Sequence, residues 1–199
     1  MMEEIKGILS LFDSAETWDA FIELSEMRTG LVNELSSRLM VELQKIAKEN
    51  LANTGWTFYV NGDENYPKRV WRLYPYPDKE LIGVAIEWGF WTSPWCKRGA
   101  CIWVNADKTD YMKVRDSIKA SRDALPLHGY EETTHHWLPF DKQIPAQIFQ
   151  VEADVTSVEK CLYLAKDHAD VLARNLWEEV FQPFARPEYA EKMRSCVEI

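Results

Sequence analysis

Cysteine is scarce in this sequence: four among 199 residues, Cys96, Cys101, Cys161 and Cys196. They are too few and too scattered for a disulfide framework in a chain of this length, so reduced thiols and a cytoplasmic location are expected. Long apolar runs are missing too. No stretch approaches the roughly eighteen uninterrupted apolar residues of a membrane-spanning helix, so no membrane partner is expected. The opening residues Met1-Met2-Glu3-Glu4-Ile5-Lys6 have neither the basic start nor the apolar run of a secretory signal. Positive charge is in deficit, with 23 Lys+Arg against 32 Asp+Glu and a net charge of −9. A chain of that sign repels phosphate at long range, which disfavours nucleic acid as a partner except through a local basic patch. Internal repeats, low-complexity tracts and linkers are absent, so residues 1–199 are read as one domain. The Gly-x-Ser-x-Gly elbow, the phosphate-cradling glycine loop and the dinucleotide fingerprint do not occur either, leaving no support for nucleophilic catalysis or nucleotide binding.

What the sequence does have is tryptophan. There are nine, and six of them (Trp56, Trp71, Trp88, Trp91, Trp95 and Trp103) fall between residues 56 and 103. Around them the pattern predicts an α+β fold. Residues 13–27 form a helix opened by the box Asp13-x-x-Glu16, and Gly30 breaks or bends the run before a second helix over 30–51, whose Leu31, Leu35, Leu39, Leu43 and Ile46 recur every three or four positions. Residues 55–105 read as four strands: Trp56–Val60, Arg69–Tyr74, Leu81–Trp91 and Ala100–Asn105, separated by Asn-Gly and proline signals. A helix capped by Asp107 follows over 108–124. Weak strands are expected over 134–151, near His135–Leu138 and Ile148–Val151. A long helix over 156–181 carries Val158, Leu162, Ala165, Ala169, Leu172, Leu176 and Val180 in one stripe, and Pro187 starts a short last helix through about Val197. Short turns between consecutive strands imply antiparallel pairing. The expected architecture is an antiparallel meander of four to six strands covered by amphipathic helices, with a long C-terminal helix.

The third strand has two unequal faces. Alternation puts Ile82, Val84, Ile86, Trp88 and Phe90 on one side, against helices, and Gly83, Ala85, Glu87, Gly89 and Trp91 on the other. The small residues either lie beneath a neighbouring ring such as Trp71, or floor a shallow ligand groove with Glu87 as its polar contact. A carboxylate in so apolar a strand needs a donor or water, and Arg72 and Arg98 are the candidate partners. The loop from Trp91 to Arg98 joins Trp91 and Trp95 to the adjacent cations Lys97 and Arg98, residue types enriched in binding hot spots. The same rings either close the core or meet a partner. Cys96-x4-Cys101 with His135-His136 is a poor zinc set, because the spacing is long and adjacent histidines on a strand point to opposite faces. No metal site is assigned.

The order helix, three antiparallel strands, helix, strand resembles the PD-(D/E)XK nuclease core over about residues 30–140. Pro77-Asp78 is followed nine residues later by Glu87, and Glu87-Trp88-Gly89 stands where that family has Glu-x-Lys. The resemblance implies Asp78 and Glu87 as ligands of a catalytic Mg²⁺. Gly89 occupies the position of the family's lysine, and an extra strand precedes the middle helix. Outside that alternative no cofactor is expected. The leading expectation is a non-enzymatic protein-binding or regulatory module using Glu87, Trp91, Trp95, Lys97 and Arg98, with a homodimer through the 156–181 helix as a further option.

Overall fold

The computed structural model describes residues 14–61, 70–76, 80–87, 99–145, 148 and 164–198. The first element, α1 (Ala15–Asn50), is a single helix of 36 residues, not the two expected. It passes through Gly30 unbroken. A mid-helix glycine costs only about 0.5–1 kcal/mol relative to alanine, too little to end a helix whose second half buries Leu35, Ser36, Leu39, Met40, Leu43 and Ala47. Fully burying side chains such as Leu39 and Leu43 contributes about 1.5–3 kcal/mol each. Ser14, rather than the expected Asp13–Glu16 pair, caps α1. Its Oγ accepts from the Thr17 N–H, while Thr17 Oγ1 accepts from the Ser14 N–H, both at 3.2 Å. Asp13 lies outside the described residues.

The four expected strands are β1 (Thr57–Asn61), β2 (Val70–Tyr74), β3 (Ile82–Glu87) and β4 (Gly99–Val104). Next comes α2 (Tyr111–Ala120), extended by a 3₁₀ turn at Arg122–Ala124. Its cap is Asp110, whose carboxylate accepts from the Lys113 N–H. The expected cap Asp107 instead donates its backbone N–H to Asn105 Oδ1 at 3.2 Å, in a turn that delays the helix. The weak strands are β5 (Glu131–Glu132) and β6 (Phe140–Gln143), on either side of the expected position. Residues 135–138 are not a strand but the connection over which the chain reverses. Residue 148 lies in a short turn, and the rest of the expected strand near 148–151 is outside the described residues.

The six strands form one sheet in the order β1-β2-β3-β4-β6-β5, every pairing antiparallel. One cross-strand row runs Phe58, Leu73, Val84, Ile102, Phe140. With Ile82, Ile86 and Val104 it forms the face that packs on the helices.

The C-terminal part departs from expectation. Residues 156–163 lie outside the described residues. Over 164–181 the chain is not one helix: a turn at Ala165–Asp167, held by Asp167 and His168 N–H groups on the Leu164 carbonyl, precedes α3 (Ala169–Leu176). Asp167, in this turn, is a residue type that favours caps and turns over helix interiors. A π-helical turn, Trp177–Phe181, continues α3. Last is α4 (Pro187–Ser195), begun by proline as expected. Leu172, Leu176 and Val180 are buried in the chain's own core against α1 and the sheet. That part of the stripe is thus consumed within the chain and does not offer the homodimer seam considered from the pattern.

Candidate functional site

Pairing register sets six residues in a row across the sheet face turned away from the helical core: Tyr59, Arg72, Ala85, Cys101, Asp141 and Glu131. Carboxylates stand at one end of the row and a cation near the other. Arg72 is 8% exposed. Its Nη1 donates to the Tyr74 hydroxyl at 3.1 Å, and its guanidinium carbon lies 4.1 Å from the centroid of the Trp103 ring. Nε is buried with no hydrogen-bond partner. Tyr74 is pushed up to about 12, chiefly by burial, with the Arg72 charge pulling the other way. The oxygen that accepts from Arg72 is therefore a neutral phenol near neutral pH and does not offset the guanidinium charge.

Of the two alternatives for the small-residue face, the groove is closed along its described half. Ala85 is fully buried with Cys101 and Leu138, and Trp103 packs over them. A methyl group at Gly83 would meet the Leu73 carbonyl oxygen at 2.7 Å and Tyr74 Cδ1 at 2.8 Å. The ring across this glycine is Tyr74, which also meets Trp103 at 5.9 Å and Tyr59 at 6.1 Å between centroids. Glycine at position 83 thus makes room for the neighbouring strand's tyrosine and not for a ligand. Gly89 and the Trp71 side chain lie outside the described residues.

Of the residues expected to bind, Glu87 ends β3 opposite Val70, and its side chain lies outside the described residues. Of the two partners expected for it, Arg72 places Nη1 on the Tyr74 hydroxyl and its guanidinium on Trp103, and Arg98 lies outside the described residues. Asp78, Trp91, Trp95, Cys96, Lys97 and Arg98 lie outside the described residues, so neither the loop site nor the Asp78–Glu87 pair has a described geometry. Cys101 is buried, with Sγ 3.8 Å from the Ala85 carbonyl oxygen. The His135 carbonyl accepts from the Tyr111 hydroxyl, and His136 is exposed. Among the described residues no three His, Cys, Asp or Glu side chains are grouped to hold a metal ion. No helix among them is long and apolar enough to cross a membrane.

A second surface was not singled out from the sequence. The first half of α1 displays Trp18 at 44% exposure, Phe21 at 45% and Leu31 at 60%. Eighteen residues are five turns of an α-helix. Trp18 therefore points as Ser36 does, and Phe21 as Leu39 does, and both later residues are buried. The face that becomes core in the second half of α1 continues, half-exposed, through the first. Periodicity alone registers such a stripe as core, whatever the exposure of its residues.

Comparison with family models, with curated proteins and with solved structures finds no match to this chain.

Proposed function

We propose that the chain is a non-enzymatic protein-binding module and that the first half of α1 is its docking element. One observation carries this: Trp18 and Phe21, 44% and 45% exposed, occupy the helix face that five turns later is sealed in the core. Large aromatic side chains at helical spacing are the usual anchors of a helix that enters an apolar groove on a partner. Charge narrows the partner. Residues 15–27 carry Glu16, Asp19, Glu23 and Glu26 and no lysine or arginine. A groove rimmed by basic residues complements such a helix, whereas a second copy of the same segment repels it. The Trp91–Arg98 loop is the second contact surface of this reading, on the strength of its residue types.

The test compares the full-length protein with Trp18→Ala/Phe21→Ala and with Trp91→Ala/Trp95→Ala in affinity purification from the native host. The expected result is loss of captured partner in the α1 variant, with an unchanged melting temperature. Undiminished capture by that variant removes α1 as the docking element, and undiminished capture by both removes the reading.

A further inference from the structure

We propose that the Nε–Nη2 edge of Arg72 anchors an oxyanion-binding site on the outer face of the sheet, taking the carboxylate or phosphate group of a small ligand. The site is independent of the α1 docking surface and uses none of its residues.

Burial comes first. A side chain 8% exposed carries a guanidinium, a group that is always charged and is rarely buried without a counter-charge. No carboxylate among the described residues forms an ion pair with it. In its own cross-strand row the nearest acid is Asp141, three strands away through Ala85 and Cys101. At about 4.8 Å per strand that is roughly 14 Å, far beyond the reach of an ion pair. Removing a charge from water is costly unless it is paired, and a neutral phenol with one ring face compensates only in part.

The unused atoms are the ones that recognise oxyanions. Nη1 is committed to Tyr74, and one face of the guanidinium to Trp103. Nε has no acceptor. Nη2, on the same edge, makes no hydrogen bond among the described residues. Two parallel N–H groups on one edge match the two oxygens of a carboxylate or phosphate. Tyr74 and Trp103 hold the plane of that fork in place before a ligand arrives, which lowers the ordering cost of binding. Tyr59, opposite Arg72 on the edge strand and 44% exposed, supplies an aromatic wall at the open side.

The experiment titrates the full chain with inorganic phosphate and, separately, with benzoate. Chloride at equal ionic strength is the control, and both the melting temperature and the Arg72 Nε–H resonance are followed. The expected result is a rise in melting temperature and a saturable shift of that resonance with one or both probes. A response to benzoate alone identifies a carboxylate ligand, and one to phosphate alone a phosphate ligand. Arg72→Lys keeps the charge but loses the fork, and weakens binding at least tenfold. The resonance is read on the unaltered protein, so the test survives a variant that fails to fold. No shift with either probe overturns the proposal, as does binding that Arg72→Lys leaves unchanged. Binding that appears only in Glu87→Gln also overturns it, by showing that Glu87 is the native counter-charge.

Discussion

The central guanidinium carbon of Arg72 lies over Trp103, 4.1 Å from the ring centroid. A desolvated cation–π contact contributes about 2 kcal/mol. Trp103→Leu is expected to lower the unfolding free energy by about that amount or more, and Trp103→Phe, which keeps an aromatic face, by less. Urea denaturation measures both. In an Arg72→Met background the difference between Leu and Phe at position 103 should shrink, because the cation that distinguishes them is gone. An equal difference in both backgrounds would reduce the contact to ordinary packing.

Alkaline pH should weaken the fold through Tyr74. Its pKa is raised from the ordinary 10 to about 12, first by burial. Tyr76 is raised to about 12 as well, by burial and then by the Glu198 carboxylate. The folded state favours the neutral phenols. Their contribution is whole below pH 10 and is lost as pH rises through 12. Stability measured by denaturant titration is therefore expected to fall across that window, and Tyr74→Phe to flatten part of the fall. A profile as steep in Tyr74→Phe as in the unaltered protein would assign the loss to other groups.

Gly30 is a stabilising site waiting for a side chain. It sits inside α1, and a methyl group there meets nothing within 4 Å. Gly30→Ala is expected to raise the unfolding free energy by about 0.5–1 kcal/mol. A neutral or negative change in melting temperature would show that the middle of α1 is not helical in solution.

The resemblance to PD-(D/E)XK nucleases has its own decisive experiment. If Asp78 and Glu87 hold Mg²⁺, calorimetric titration with Mg²⁺ or Mn²⁺ gives saturable heat that Glu87→Gln abolishes, and DNA or RNA is cut in a metal-dependent way. A protein-binding module gives neither heat nor cleavage.

Much of the sheet was legible in the sequence because period-two alternation and turn residues are local signals. Ile82, Val84 and Ile86 face the helices as alternation requires, and β1 to β4 pair in the order in which they occur. The helix boundaries were less legible. Gly30 reads as a break from propensity alone, yet the tertiary burial of Leu35, Leu39 and Leu43 outweighs its cost. The turn at Ala165–Asp167 falls between stripe residues spaced four apart, so the apolar period crosses it without a mark. On the outer face the choice between a covering ring and a groove was not legible in one strand. What lies over Gly83 is decided by Tyr74 on the adjacent strand, a register fact that no single strand carries. Arg72 was legible as a strand residue but not as a buried cation stacked on Trp103, because the two are 31 positions apart in the chain.

The margin of the sheet beyond β6 is only two residues long, and both are exposed glutamates, Glu131 and Glu132. Unsatisfied peptide groups along a sheet margin invite strand addition from another molecule, and brevity together with like charge discourages it. Glu132 also holds Lys119 in an ion pair at 2.8 Å, so an approaching strand meets a short, charged margin and not a bare row of peptide groups. That margin is accordingly a poor template for a continuous ladder between molecules. Replacing the two acids with glutamine would weaken that protection and release Lys119 from its ion pair.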